Sequence, residues 1–337
     1  MKKISIRDIA KKAGVVPSTV SFVLNGKDKE MRISQVLTDK IKAIIEETGY
    51  YPNHTAVSLR TGKTKILGML VEDIANVFFS TLARTIEDEA YAIGYKIVYC
   101  STENNDEKGI ELLKMLCRQQ VDGFMITPSA GMVKEIQQLR EQKMPLVLMD
   151  RYFPGLDIPY TLVDNQDGVQ QGIEHLLQKG YKNIAFVTVD LDQVQMKERE
   201  RAYKQVLQAN QLSADNNLLK IPYKLKPEQY IDAITLFLKE RTSIDAVFFA
   251  TNYLGVYGLQ SIRCLKLSIP ADIAVVCFDD HDMFRFYTPS ITVISQPIET
   301  IAKTAIRLLV EQLEKGVSTS NKKGVFVKGQ LVLRNST

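Results

Sequence analysis

Three polar side chains follow strand-like hydrophobic segments, where they could bind a hydroxylated ligand. Asp150 ends the segment PLVLMD, Asn252 follows DAVFFAT, and Asp279 follows DIAVVCF. Carboxylate and amide groups can make paired hydrogen bonds, which suits the adjacent hydroxyls of a sugar. Turn and helix-cap chemistry explains each residue equally well when it is considered alone. Both interpretations stay open at this point.

These residues belong to a region, from Lys65 onward, in which strand-like and helix-like segments alternate. The strand-like segments are ILGMLV, KIVYC, DGFMIT, PLVLMD, NIAFVTV, DAVFFA and DIAVVCFDD, and helices are predicted near 80–94, 107–120, 131–142, 167–179, 197–209 and 255–266. Such alternation predicts parallel sheets covered by helices on both faces, and the length allows two lobes. Ligands bind beyond the carboxyl ends of such strands, here in the cleft between the lobes.

A different pattern at the amino terminus predicts a helix-turn-helix. Apolar residues in IRDIAKKA, positions 6–13, fall on one helix face, and Gly14 suits the end of that helix. Pro17 suits the first turn of a second helix, which Asn25-Gly26 would end. A third helix from about 38 to 48 would close a small core, so the amino terminus is expected to be an all-α domain.

The net charge of +4 is concentrated in this amino-terminal segment. Residues 1–62 hold eleven Lys and Arg against six Asp and Glu, a net charge of +5 that leaves −1 for the remainder. A basic domain on a near-neutral body favours binding to nucleic acid, because neutralising phosphates supplies much of the affinity. An ordinary solvated surface would explain so modest an excess if nothing else pointed to DNA.

Enzyme and membrane functions find no support in the sequence. Neither GxGxxG nor GxxxxGK[ST] follows the first strand, no GxSxG occurs, and the three histidines (His54, His175, His281) are far apart. Four scattered cysteines suggest reduced thiols rather than disulfides or a metal site. No run of about 18 apolar residues and no secretory signal is present. We therefore expect a cytoplasmic protein that is not an enzyme and has no catalytic residue, metal or cofactor.

The chain resembles the lactose-repressor (LacI/GalR) family of bacterial regulators over essentially its whole length. The resemblance is carried by SIRDIAKKAGVVPSTVSFVLNG (5–26), GYYPNHTAVSLRTGKT (49–64), VDNQDGVQQGIEHLLQKGYKNIAFV (163–187) and CFDDHDMFRFYTPSITVISQP (277–297). It implies a multi-domain protein, with an all-α helix-turn-helix head and a two-lobed α/β body like a periplasmic binding protein. The implied domains are the head at 1–52, a hinge helix and linker at 53–64, and an effector-binding and dimerisation body at 65–337.

For the head, the resemblance implies that the second helix enters the major groove. Pro17, Ser18 and Phe22 match base-reading positions, although Phe22 stands where many members carry Arg or His. Val16 stands where Ser is usual, which removes a helix cap. The short hydroxyl side chains of the second helix also suit phosphate or base-edge contacts. Together with the resemblance they give these candidate DNA contacts: Ser5, Pro17, Ser18, Thr19, Ser21, Phe22, Asn25, Asn53, Ala56, Leu59 and Arg60.

Leu59 in the hinge matches the leucine that wedges between central base pairs in the minor groove of the family's operators. The alternative is a linker helix that packs Leu59 against its own body. Asn53 and Ala56 also match the family pattern and favour the wedge, whereas Val57 departs from it because Arg is common there.

For the body, the resemblance implies that Arg199 and Asp279 hold the effector. Phe78 and Phe79 match an aromatic pair at the entrance of the first helix, with core packing as the alternative. Tyr253 is a departure, because members commonly carry Asp after Thr251-Asn252. The complete set of candidate effector contacts is Phe78, Phe79, Asp150, Arg151, Arg199, Tyr223, Asn252 and Asp279.

The sequence therefore predicts a homodimeric transcriptional regulator that responds to a ligand and binds a palindromic double-stranded DNA operator. We expect it to be a repressor. The expected effector is a sugar or a sugar derivative. A nucleobase is the alternative, because the phenylalanine pair could stack a purine. An exported sugar carrier would lack the basic head, and a purely architectural DNA binder would not need so large a body. Whether the effector weakens or strengthens DNA binding stays open.

Overall fold

A computed structural model describes residues 4–51, 62–317 and 324–337. The chain divides into two compact units, Met1–Thr64 and Lys65–Thr337. The candidate hinge contacts Asn53, Ala56, Leu59 and Arg60 lie outside the described residues.

Residues 4–51 of the first unit contain three helices, α1 (Ile6–Ala13), α2 (Pro17–Leu24) and α3 (Gln35–Thr48). Gly14 adopts a left-handed conformation with φ 76°, which lets the chain turn sharply between α1 and α2. The buried core consists of Ile9, Ala10, Ala13, Val20, Val23, Ile41 and Tyr50. The third helix begins three residues before its predicted start, because the Ser34 hydroxyl accepts a hydrogen bond from the Leu37 amide and caps it there.

One sheet of the second unit is parallel throughout and defines a first lobe. Its strands are β1 (Ile66–Val71), β2 (Lys96–Ser101), β3 (Gly123–Ile126), β4 (Leu146–Met149), β5 (Tyr160–Val163) and β11 (Gly324–Val327), in the order β11-β5-β4-β3-β1-β2. Its helices are α4 (Val77–Ala92), α5 (Asp106–Arg118), α6 (Val133–Glu141) and α12 (Ile298–Lys315), and a 3-10 turn spans Ala130–Met132.

The other sheet defines a second lobe and is parallel except for its last strand. Its strands are β6 (Ile184–Asp190), β7 (Leu218–Pro222), β8 (Ala246–Phe249), β9 (Ala274–Phe278), β10 (Thr292–Ser295) and β12 (Gln330–Val332), in the order β12-β10-β9-β8-β6-β7, with β12 antiparallel to β10. Its helices are α7 (Asn165–Gln178), α8 (Val194–Ala209), α9 (Pro227–Glu240), α10 (Asn252–Cys264) and α11 (Asp282–Phe286).

The chain passes between the two lobes three times. It crosses after β5, after β10 and between β11 and β12, so neither lobe is a continuous stretch of sequence. These crossovers tie the lobes together beside the carboxyl ends of their parallel strands. The predicted two-lobed α/β body with a helix-turn-helix head is confirmed.

Helix starts differ from the predicted ones mainly because of polar caps. The helix predicted from 80 begins at Val77, where the Asn76 side chain accepts from the Phe78 amide. The helix predicted from 255 begins at Asn252, where Thr251 accepts from the Leu254 amide. Strand β7 was not among the predicted segments, because its half-exposed sequence LLKIP lacks a hydrophobic run.

Replacing Gly258 by Ala should destabilise the second lobe. Gly258 of α10 packs directly on Phe249 of β8, and a Cβ atom there would overlap the phenyl ring. Overpacking of a filled core costs about 1–3 kcal/mol. Urea unfolding would measure this loss, with the exposed Gln260→Ala in the same helix as a control that changes stability by less than about 0.5 kcal/mol. An unchanged stability in Gly258→Ala would contradict this packing.

Candidate functional site

A cavity of about 50 Å³ lies between the carboxyl ends of the two sheets. Seven of the eight candidate effector residues line it: Phe78, Phe79, Asp150, Arg151, Arg199, Asn252 and Asp279. The eighth, Tyr223, lines a larger neighbouring cavity instead. We call the first space the inner cavity. Its volume leaves room for a few water molecules, so the lobes are closed on each other.

Both aspartates of the inner cavity adopt a left-handed backbone conformation directly after a strand. The φ angle is 63° at Asp150, after β4, and 71° at Asp279, after β9. Asp is among the few residues other than glycine that tolerate this region, and such conformations cluster at functional sites. At these two positions the end of a parallel strand gives way directly to a carboxylate that lines the cavity.

Arg151 is buried and crosslinks several parts of the first lobe. Its guanidinium forms an ion pair with Glu72, and its Nε lies 3.2 Å from Asp150 Oδ2. Its Nη1 donates to Asn104 Oδ1 at 2.5 Å. Burial lowers the pKa of Arg151 to about 9, so it stays charged at neutral pH.

Arg199 of α8 is also buried, and its own lobe holds it rigidly. Its Nε donates to Asn165 Oδ1 at 2.8 Å, and its Nη1 donates to the Ala250 carbonyl at 2.6 Å. The guanidinium carbon lies 3.6 Å from the centre of the Phe278 ring. These contacts direct the charge toward the cavity that it lines, where the carboxylates of Asp150 and Asp279 attract it.

The two aspartates differ from ordinary surface carboxylates in their affinity for protons. Burial raises the pKa of Asp150 to about 7, against the attraction of Arg199 and with the repulsion of Asp279. Burial also raises the pKa of Asp279, opposed by Arg199 and by a hydrogen bond from Gln296. Desolvation of a charged group is the common cause. A ligand hydroxyl that donates to either carboxylate would compensate for part of that lost hydration.

Hydrogen bonds between the lobes close the cleft. Tyr223 donates to Glu72 Oε1 at 2.9 Å, and Asn252 Nδ2 donates to Asn76 Oδ1 at 3.1 Å. A third bond runs from Gln193 Nε2 to Asn104 Oδ1 at 3.1 Å. In each pair one residue belongs to the first lobe and the other to the second. Opening of the cleft would break these bonds.

Several residues of the inner cavity were not found by sequence reasoning. They are Glu72, Asn76, Val189, Leu191, Gln193, Gln195, Met196, Thr251, Tyr253 and Gln296. Glu72 directly follows β1, so the strand-end rule that gave Asp150 could have found it. The glutamines lie in segments whose approach to the cleft depends on the tertiary fold. The buried Gln195 Oε1 accepts no hydrogen bond and is available to a donor in the cavity.

The phenylalanine pair has a double role. Phe78 and Phe79 are 6% and 5% exposed and belong to the main hydrophobic core, and they also line the cavity. Their rings pack edge to face with centroids 4.9 Å apart. Core packing therefore accounts for most of their contact area, and only a small part of each side chain lines the cavity.

In the first unit, helix α2 presents the residues predicted to read DNA. Pro17 and Ser18 are exposed, while Thr19, Ser21 and Phe22 are half-buried. Val16 is the N-cap residue of α2, and its side chain makes no capping hydrogen bond. This confirms the prediction that Val in place of Ser removes the cap.

Two candidate DNA contacts already make local hydrogen bonds. Asn25 Nδ2 donates to the Ser21 carbonyl at 2.6 Å, and Ser5 forms a reciprocal cap with Asp8. A DNA contact by the side chain of Asn25 or Ser5 would compete with these local hydrogen bonds.

Comparison with known proteins identifies both parts of the chain. Residues 5–53 match the model for bacterial regulatory proteins of the lacI family, and residues 173–337 match that for a periplasmic binding protein-like domain. The ribose operon repressor of Halalkalibacterium halodurans is 31% identical over 92% of this chain and 91% of its own. The chain therefore belongs to the lacI family of bacterial transcription regulators.

Two solved structures share this fold. A lac repressor dimer bound to operator and an anti-inducer superposes with a TM-score of 0.86 over 99% of both chains, at 22% identity. A LacI family regulator from Enterococcus faecium, solved with bound ribose, covers 81% of this chain and 98% of its own, at 27% identity and a TM-score of 0.71.

Two kinds of feature are absent from the described part of the chain. Within 4–51, 62–317 and 324–337, no helix is long and apolar enough to cross a membrane. The same part of the chain contains no cluster of three His, Cys, Asp or Glu side chains arranged to hold a metal ion.

Replacing Asp150 by Asn should remove part of the pH dependence of stability. The unfolded chain releases this proton near pH 3.8, whereas the folded protein keeps it to about pH 7. The tighter proton binding by Asp150 in the folded protein therefore stabilises the fold fully below pH 3.8, and this contribution is lost as the pH rises to 7. A shift of about three units sets a ceiling of about 4 kcal/mol. Asn tolerates the left-handed backbone at this position.

The measurement is urea unfolding of the wild type and the variant between about pH 4.5 and 7.5, a range set by the two pKa values. The free energy of unfolding should fall less steeply with rising pH in Asp150→Asn than in the wild type. The control Asp88→Asn removes an exposed carboxylate of α4 and should keep the wild-type slope. Identical slopes for the wild type and Asp150→Asn would show that Asp150 does not titrate in this range.

Proposed function

We propose that the protein is a transcriptional repressor that binds a palindromic operator as a homodimer, and that a sugar-like effector in the inner cavity sets its operator affinity. The observation that carries this proposal is the set of buried charges at the cleft. Arg151, Arg199 and Asp150 are buried at the junction of two lobes, and Asp279 joins them. Domain boundaries near 52 and 64 would separate head, hinge and body.

The chemistry of the inner cavity suits a polyhydroxylated ligand. Arg199 offers donors, Asp150 and Asp279 offer acceptors, and the amide of Asn252 offers both. Because these groups are held in place, they can bind two adjacent hydroxyls of one ligand at the same time. The ribose operon repressor and the ribose-bound regulator from E. faecium support a sugar, and they make ribose the first compound to test.

Effector binding would act on DNA through the hydrogen bonds between the lobes. A ligand that contacts both lobes shifts the balance between open and closed forms by its difference in affinity for them. Couplings of this kind are typically about 1–3 kcal/mol, or about 5- to 150-fold in affinity. In this proposal α2 reads the major groove, and Leu59, Asn53, Ala56 and Arg60 of the hinge contact the minor groove and backbone.

A nucleobase is the second candidate effector, and the position of Phe78 and Phe79 at the cavity favours it. Stacking of a base would need an exposed ring face, however, and both rings are packed edge to face in the core. The two arginines and two aspartates of the same cavity have more donors and acceptors than one base edge can satisfy. The sugar therefore remains the first candidate.

The variant Asp279→Asn should lose its response to the effector and keep its affinity for operator. The substitution removes a negative charge that faces the ligand, while Asn keeps an acceptor for Gln296 and tolerates the left-handed backbone. Operator fragments selected from random duplexes would be titrated with and without sugar, for the wild type and the variant. We expect a sugar to change the wild-type affinity at least about fivefold and the variant affinity less than about twofold.

Asp280→Asn is the matched control, because the adjacent carboxylate pairs with Arg285 and Arg334 rather than lining the cavity. It should respond to sugar like the wild type. A wild-type response that survives in Asp279→Asn would remove Asp279 from the site. Failure of the wild type to select any duplex would contradict the DNA-binding proposal itself.

A further inference from the structure

A second, larger cavity adjoins the inner one. It has a volume of about 390 Å³, against about 50 Å³ for the inner cavity. Small-molecule sites commonly measure about 300–1,000 Å³, so this space alone is large enough to hold part of a ligand. We call it the outer cavity. The two cavities share Glu72, Asn76, Asn252 and Tyr253 in their walls, so they are direct neighbours. Breaking the hydrogen bond between Asn252 and Asn76 would let one ligand reach both.

Four tyrosines give the outer cavity an aromatic wall. They are Tyr223, Tyr230, Tyr253 and Tyr257. Tyr253 and Tyr257 are one turn apart on α10 and therefore face the same side. Tyr230 of α9 lies against both, stacked on Tyr257 at 5.1 Å and edge-on to Tyr253 at 6.0 Å. These contacts fix the rings before any ligand arrives, so little side-chain freedom is lost on binding.

Polar side chains line the outer cavity together with the aromatic wall. Glu72, Asp73 and the amides of Asn76 and Asn252 also line the outer cavity and can bind hydroxyls at a ring edge. The C–H groups of a sugar ring can pack on the parts of the tyrosine rings that line the cavity. A cationic ligand fits less well, because Arg151 already neutralises Glu72 and Lys224 adds a positive charge to the wall.

Tyr253 stands at the boundary between the two cavities. Its half-buried ring lines both spaces. Tyr253 therefore continues the aromatic wall of the outer cavity to the edge of the inner one.

From these observations we propose that the outer cavity is a second sugar subsite and that the effector is a carbohydrate of at least two linked units. The closed inner cavity holds only a few water molecules, so the cleft must open to admit a sugar. One unit would then bind the charged groups of the inner cavity, and the next would pack on the tyrosines. This inference rests on the proposed function, since it assumes that the inner cavity binds a sugar.

Isothermal titration of the full-length protein tests the two subsites separately. The probes are ribose, glucose and galactose on one side, and maltose, cellobiose and lactose on the other. We expect one disaccharide to bind at least about tenfold more tightly than its component monosaccharides. In Tyr257→Leu, which keeps apolar volume but removes the ring, that advantage should fall to about twofold or less, with monosaccharide affinity retained.

Two further variants separate stacking from other effects. Tyr257→Phe keeps the ring and should keep the preference for the disaccharide. Tyr181→Leu replaces a half-buried tyrosine outside both cavities and should bind every probe like the wild type.

The possible failures are distinguishable from one another. If wild-type protein binds a monosaccharide as tightly as every disaccharide, the outer subsite is wrong while sugar sensing stands. If Tyr257→Leu weakens both classes equally, or neither, Tyr257 does not form a separate subsite and the proposal is overturned. If no carbohydrate binds, the proposed sugar function fails and this inference fails with it.

Discussion

Burial of opposite charges at the junction of the two lobes is the constraint on which the rest of the body depends. Two guanidinium groups and the carboxyl groups of Asp150 and Asp279 are withdrawn from bulk water there. Such burial is costly unless each charge is paired and hydrogen-bonded. Arg151 pairs with Glu72 and Asp150 of its own lobe, whereas Arg199 bonds an amide and a carbonyl and is attracted by Asp150 and Asp279. These pairings offset part of the cost of burying the charges.

The fold explains why these charges meet. The carboxyl ends of both parallel sheets open on the same cleft, and left-handed turns at Asp150 and Asp279 place a carboxylate directly after a strand. Three crossovers keep the lobes connected, and direct hydrogen bonds such as those from Tyr223 to Glu72 and from Asn252 to Asn76 hold the cleft closed. A ligand that bonds to both lobes can therefore compete with those bonds, and small changes at the cleft can alter the relation of one lobe to the other.

Much of this architecture could be predicted from sequence, because alternating hydrophobic segments define parallel strands and polar residues mark their ends. Asp150, Asn252 and Asp279 came from that pattern, and Arg199 came from the resemblance. Tyr223 lies in the outer cavity, since its position depends on the loop after β7, a strand whose half-exposed sequence gives no clear signal. Gln193, Gln195 and the stacking of Tyr230 on Tyr257 depend on packing between distant segments, which no local pattern encodes. The predicted contacts of the hinge lie outside the described residues.

Thermal unfolding of the wild-type protein with monosaccharides, disaccharides, sugar phosphates and nucleobases tests most directly whether a sugar completes the charged cleft. A ligand at a hundredfold excess over its dissociation constant adds about 2.7 kcal/mol to the stability of the state that binds it, which shifts the melting temperature visibly. The account predicts that at least one sugar raises the melting temperature and that nucleobases leave it unchanged. Stabilisation by nucleobases alone, or by no compound in the panel, would contradict the assignment of the cleft to a sugar.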